Sequence, residues 1–252
     1  MAQHLYVATP AYGCMVHAAY ATSLLQLQAL CIQRGIEISI DLLGNESLVQ
    51  RGRNILQARF LKSRATHLLF IDADIAFSAS AVVDRLLPAD KDIITGVYAK
   101  KSIDWNKVKD AVAAKETQAD EPIESVGLDY NMNISPGENP VVDGTCEVLD
   151  SATGFFLVKR HVLEEMWKAY ADELWCKNDI QGGTGVDSYI AVFDCMIDPD
   201  SRRYLSEDYA FCRRWQQLGG RVHADISFPL SHIGGHAFVG DVRQRFSWTY
   251  MD

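Results

Sequence analysis

What the chain lacks narrows its function before any motif is weighed. No apolar run approaches the roughly 20 residues of a membrane-spanning helix. The stretch Met1 to Pro10 has no basic segment followed by an apolar one, so no secretory leader and no transmembrane segment are expected. Positive charge is scarce: 24 Lys and Arg stand against 33 Asp and Glu, a net charge of −9. Phosphate-driven nucleic-acid binders normally carry a basic face, so no nucleic-acid partner is expected. A small basic pocket on an acidic body would still suffice for one nucleotide diphosphate. The six cysteines are scattered, without a Cys-x-x-Cys pair. That usage suits reduced thiols in a cytoplasmic protein better than a zinc site or a disulfide framework. Neither Gly-Lys-Ser/Thr nor Gly-x-Gly-x-x-Gly follows a strand, which removes the two commonest phosphate loops.

What is present fits an ordinary globular α/β chain. At 252 residues and 48% hydrophobic, the sequence can bury one substantial core. Leu5–Thr9 reads as a first strand, stopped by Pro10 and Gly13. Leu24, Leu27, Leu30 and Cys31 recur at helical spacing within a segment from Ala18 to about Gln33, and Gly35 closes it. Ile36, Ile38, Ile40 and Leu42 alternate with polar residues as a half-buried strand. A second helix opens near Ser47. Strand, helix, strand without hairpin signals is the grammar of a parallel sheet with crossover helices.

The chemistry-bearing stretch is His67-Leu68-Leu69-Phe70-Ile71-Asp72-Ala73-Asp74. A buried strand ends in two carboxylates, at the sheet edge where open α/β folds bind ligands. Two readings stand. Asp72 and Asp74 can hold magnesium or manganese together with water and a diphosphate, or the triplet is a turn before a short helix, about Ser80–Leu87. Arg51, Arg53 and Asn54 could offer donors to a phosphate, or simply face solvent on an amphipathic helix. Beyond a strand at 92–96, Tyr98, Lys100 and Lys101 could meet an anion. The 106–145 segment is polar and loop-rich, with Asp120-Glu121 and a turn at Ser135-Pro136-Gly137, and reads as a variable insertion. At Gly154 either the backbone passes close to a ligand or a strand bulges. The glycine-rich 179–200 stretch, with Gly182-Gly183-Thr184-Gly185, reads as a mobile loop suited to a lid. Ser206 caps a helix with Glu207 and Asp208 in its first turn. His232 and His236 follow near a double glycine that disfavours a helix.

In their order, these pieces resemble the nucleotide-sugar-dependent glycosyltransferases of the GT-A fold, in particular small single-domain members from viruses and bacteria. The matching pieces are Thr9-Pro10, Arg51-Gly52-Arg53-Asn54, Ile71-Asp72-Ala73-Asp74, Gly154-Phe155-Phe156, Ser206-Glu207-Asp208 and His232. The resemblance implies a mixed, mainly parallel central sheet flanked by helices, in one domain over 1–252. Residues 1–100 would form the nucleotide-binding half and 146–252 the acceptor and catalytic half.

It further implies a Mn2+ or Mg2+ ion on Asp72, Asp74 and His232, with His236 the rival ligand. A UDP- or GDP-sugar donor would lie against Thr9, Pro10, Tyr12, Arg51, Arg53, Asn54, Asp72, Ala73, Lys100 and Gly154. In inverting members the acid pair supplies the base, here Asp208, while Glu207 contacts a sugar of a carbohydrate acceptor. Trp105, Trp175 and Trp248 could stack on sugar faces or pack internally. No Gln-x-x-Arg-Trp signature follows the acid pair, which implies addition of a single sugar. Arg-x-Arg-Asn before Asp-x-Asp is also similar to retaining fungal mannosyltransferases, so the stereochemistry stays open. The competing readings are a nucleotidyltransferase, disfavoured by the single glycine and missing base in Pro10-Ala11-Tyr12-Gly13, and a non-catalytic carbohydrate- or nucleotide-binding module.

Overall fold

The computed structural model describes residues 3–114, 122–134, 140–180 and 184–245. Asp120-Glu121, the 135–137 turn, Gly182-Gly183 and Trp248 therefore lie wholly or partly outside the described residues.

The sheet begins with β1 (His4–Ala11), which pairs in parallel with β2 (Glu37–Gly44) on one side and β3 (His67–Ile71) on the other. The crossovers are α1 (Ala18–Arg34), ended by Gly35 at φ 68°, and α2 (Val49–Lys62). Then follow β4 (Ile93–Gly96), α3 (Trp105–Ala114), β5 (Met132–Ile134), β6 (Thr145–Ser151), β7 (Phe155–Lys159), α4 (Arg160–Ala169), α5 (Glu207–Gln217) and β8 (Val222–Asp225). The eight strands lie in the order β2-β1-β3-β7-β4-β8-β6-β5. Strands β7 and β6 run against the other six. The sheet is mixed, most of its strands share one direction, and helices cover it.

Strand alternation divides the core in two. Leu68 and Phe70 of β3, with Phe156 and Val158 of β7, face α2, α4 and α5. Leu69 and Ile71, with Phe155 and Leu157, face α1 and the short helix Ala81–Leu86, which is where one was expected but is of the wider π type. Each of these fully buried side chains contributes about 1.5–3 kcal/mol. Such a doubly covered strand needs a continuous apolar run, which is why His67–Ile71 is legible.

Four expectations need correcting. Pro10 does not stop β1; the strand runs to Ala11, because pairing with β3 ends at Ala8 and a missing N–H costs nothing on that free edge. In β2 the apolar side is not fully covered. Ile38 packs partly, but Ile40 and Leu42 are exposed, while Ser39 and Asp41 bond His4, Tyr6 and Arg59. The strand is the sheet's edge. The 106–145 stretch is not merely loop: it holds most of α3, started by Asp104 Oδ1 accepting the N–H groups of Asn106 and Lys107, and all of β5. Only Val108 and Ala111 of α3 are buried, too few to give a helical pattern.

The fourth concerns 184–200, which is packed rather than loose. Val192 and Phe193 are fully buried, and Phe193 stacks on Phe211 of α5 at 4.3 Å and 8°. Arg214 donates to the Val192 and Asp194 carbonyls, and Arg59 and Lys62 hold the carbonyls of Thr184 and Gly185. Glycine dominated the reading of that stretch and hid five successive apolar or aromatic residues, 189–193.

Candidate active site

At the carboxyl ends of β1 and β3 lies a cleft of about 550 Å3, walled by Pro10, Tyr12, His17, Glu46, the Asp72–Asp74 turn and His232. The turn is held by its backbone. Asp72 N donates to Gly154 O (2.9 Å), Ile75 N to Asp72 O (3.1 Å), and His17 N to Ala73 O (2.8 Å). Both carboxylates are thereby aimed without using their own oxygens.

Asp74 meets two cationic or proton-bearing groups. Lys101 Nζ lies 2.5 Å from its Oδ2, and His232 Nε2 3.5 Å from its Oδ1. Burial pushes the Asp74 carboxyl up, but His232 and Lys101 together outweigh it and hold it below its ordinary value. His232 arrives by strand pairing. Leu230–Ile233 runs antiparallel to Ile75–Ala76, with His232 opposite Ile75, and Ile233 N donates to Asp74 O at 2.9 Å. The ring's Nδ1 lies 2.8 Å from the Ala99 carbonyl, which can only accept, so Nδ1 carries the proton. A bare Nε2 lone pair facing a carboxylate is repulsive unless a proton or a cation lies between them. His236 points elsewhere, to Glu124 at 3.5 Å.

Asp72 belongs to a different set of contacts. Arg53, 3% exposed, donates to Asp72 Oδ1 (3.0 Å) and to Glu207 Oε1 (3.4 Å), and so joins the end of β3 to the first turn of α5. Burial alone would push the Arg53 guanidinium down, but Asp72 and Glu207 hold it above its ordinary value. Burial raises the Glu207 carboxyl; Arg53 opposes this and Asp208 adds to it. Asp208 Oδ1 accepts the Ser206 hydroxyl and the Tyr209 N–H (2.8 Å). Ser206 stands at the N-cap position, but its side chain bonds Asp208 and caps nothing.

Gly154 is required by two protein groups. A Cβ there would collide with the Tyr98 hydroxyl and lie 2.7 Å from Asp72 Oδ2. Tyr98 accepts the Gly154 N–H at 3.1 Å, and its ring meets His232 edge-on at 5.1 Å. Burial, with Asp72 adding to it, keeps the phenol protonated well beyond its usual range.

Several residues expected against the donor sit elsewhere. Thr9 is fully buried behind the cleft, bonded to Tyr20 at 2.6 Å. Asn54 is 2% exposed, its amide oxygen bonded by Gln57 and the Phe193 N–H. Arg51 pairs with Glu46 at 2.8 Å and borders a separate cavity. Lys100 is exposed, and its neighbour Lys101 takes the place at Asp74. Trp105 and Trp175 are exposed, at 63% and 61%. Sequence reasoning missed Glu46 as a cleft residue, and it offered Lys100 and Lys101 alike to an anion, where only Lys101 pairs with Asp74. Alternation in a strand sends Lys100 and Lys101 to opposite sides, and nothing local says which side meets the carboxylate.

Among the described residues no three His, Cys, Asp or Glu side chains converge as a cation site. Asp72, Asp74 and His232 do not converge as a set of three, and Asp72 Oδ1 is instead bonded by Arg53. The Asp74–His232 pair still fits a cation. Its histidine has the pinned Nδ1–H usual for a metal ligand, and magnesium or manganese commonly takes one or two protein ligands, completing its shell with water and phosphate.

No family model and no curated protein matches the chain. Solved structures give distant likenesses. The chain is similar to A197 from STIV at 16% identity over 99% of this chain and 98% of that one, with a TM-score of 0.49. It is similar to a 1–349 fragment of TarS from S. aureus at 11% identity over 94% of this chain, spanning only 60% of that one, with a TM-score of 0.40. A glycosyltransferase involved in the glycosylation of the major capsid of PBCV-1 is similar at 12% identity over 88% of this chain and 93% of that one, with a TM-score of 0.28. Likeness at this level carries no functional argument, so function must be read from the site itself. No helix among the described residues is long and apolar enough to cross a membrane.

Proposed function

We propose that the chain is a glycosyltransferase that moves a sugar from a nucleotide diphosphate donor, UDP- or GDP-linked, to a carbohydrate hydroxyl. The observation that carries this reading is the Arg53 bridge, which ties the turn bearing the two aspartates to the acid pair of α5. A group-transfer site needs a charge-neutralising wall beside a proton acceptor, and Arg53 sets the two at a fixed separation.

In this reading the donor diphosphate lies along the Asp72–Asp74 turn. Lys101, and the start of α1 directly behind His17, favour its negative charge. Asp74 and His232 would hold a manganese or magnesium ion, which when bound supplies Lewis-acid neutralisation of the leaving diphosphate. Asp208 acts as general base. Its Oδ1 is fixed by two donors, while Oδ2 has no bond among the described residues and is free to take a proton. The acceptor oxygen forms a bond to the anomeric carbon as the bond to the diphosphate oxygen breaks, and the acceptor proton passes to Asp208. This is inversion. Glu207, held by Arg53, faces the sugar. The fixed Asp72–Arg53 pair shapes the pocket floor.

Calorimetric titration of the purified protein with UDP, GDP and their sugars, with and without manganese, tests the reading. One nucleotide is expected to bind at least about tenfold more tightly with metal, an effect lost in Asp74→Ala. Asp208→Asn should keep that binding and lose transfer by roughly 10²–10⁴-fold. Absence of nucleotide binding in the presence of metal rejects the proposal.

A further inference from the structure

Across the first turn of α2 from the cleft lies a second cavity, of about 340 Å3, within the range of small-ligand sites. The turn divides its side chains between the two: Glu46, Ser47 and Val49 wall the cleft, and Leu48, Gln50 and Arg51 the second cavity. The opposite wall carries Glu173, Trp175, Tyr189 and Asp194. Trp175 exposes 61% of its surface and Leu48 46%. An indole this open beside Leu48 at the mouth of a cavity leaves an apolar ring face available to a ligand. Planar polar groups stand around it. The Gln50 and Glu173 side chains have no hydrogen-bond partner among the described residues, and Asp194 uses one oxygen on the Cys195 N–H.

An apolar ring face beside an amide, carboxylates and a guanidinium matches one ligand chemistry. A pyranose has a face of C–H groups that lies on an aromatic ring, and a rim of hydroxyls that each donate and accept. We propose that this second cavity is a carbohydrate subsite, with Trp175 as stacking platform and Gln50, Glu173 and Asp194 as hydroxyl partners. Its place suits the acceptor chain. Arg214, on the helix that the acid pair opens, holds the Asp194 carbonyl at 2.6 Å, so the cavity's wall is tied to that helix. Arg51 donates to Glu46 through two nitrogens, at 2.8 and 2.9 Å, and so links the subsite to the cleft wall. The assignment to an acceptor rests on the transferase reading; the sugar site itself does not.

The test titrates the full chain with cellotriose, maltotriose, mannotriose and chitotriose, followed by tryptophan fluorescence and calorimetry. At least one sugar is expected to bind saturably. Trp175→Ala should weaken it about tenfold or more, and Trp175→Phe by much less. Gln50→Ala, a milder change to the fold, should weaken it as well, and nucleotide binding should be unchanged in all three. Failure of all four sugars to bind, or equal binding by Trp175→Ala and the wild type, overturns the proposal. Sugar binding without nucleotide binding would keep the subsite and remove the transferase reading. Nucleotide binding without sugar binding would do the reverse.

Discussion

Asp72 and Asp74 are one residue apart, yet the walls they belong to differ in kind. The inner wall, Asp72–Arg53–Glu207, centres on a buried cation: the Arg53 side chain is only 4% exposed, with Glu207 at 14% and Asp72 at 29%. The outer wall, Asp74–Lys101–His232, has its ion pair open to water, with Asp74 and Lys101 at 37% and 35% exposed and only His232, at 14%, largely covered. An ion pair removed from water is costly to break and cannot easily trade partners. One in contact with water is worth little and exchanges readily. The inner wall therefore acts as scaffold, and the outer wall is where an incoming cation or phosphate can displace a protein group.

Breaking the inner wall should have the largest effect. Arg53→Met keeps most of the volume but leaves two carboxylates without their buried partner, and is expected to cost about 3–5 kcal/mol in denaturant unfolding. A loss near zero would mean the inner wall is as exchangeable as the outer one.

Acid separates the two walls next. The folded-state value of Glu207 is raised, so the cost of its charge is full at neutral pH and is relieved as pH falls through that raised value. Asp74 is depressed, so its contribution is present above its unfolded value and is lost only as pH falls through the lower folded value. On acidification the wild type should first gain stability relative to Glu207→Gln, then at lower pH lose it relative to Asp74→Asn. Unfolding curves between about pH 7 and about pH 3 read both shifts.

The smallest stability effect belongs to Lys101→Met, below about 1 kcal/mol, since the pair it removes is partly solvated. Removing this built-in cation should tighten manganese binding about tenfold, as measured by calorimetry. Unchanged affinity would show that the lysine and a metal do not compete for Asp74.

The sequence announced the sheet where one residue type serves one requirement. Leu68 to Ile71 must be apolar on both faces, so β3 and the carboxylates closing it stand out. It was silent where contact is made by residues far apart. Nothing near Arg53 announces that Glu207, 154 positions later, shares its guanidinium. Nothing near Lys101 announces Asp74. Glycines at 182, 183 and 185 drew the eye from Phe193, whose stacking partner lies in another helix. Local pattern reports backbone geometry and burial; site geometry depends on pairings that only the folded sheet defines.

The delivery of His232 by backbone pairing has one more implication. Of its ladder neighbours, Ser231 and Ile233 contribute main-chain bonds opposite Ala76 and to Asp74 O, and their side chains are only half-buried. A slip of one residue, however, would turn the imidazole to the opposite side of the strand. Apart from Leu230, which is buried, and His232 itself, this stretch should therefore forgive spelling errors and punish frame errors: substitutions at Ser231 and Ile233 would be tolerated, and a single-residue deletion would not.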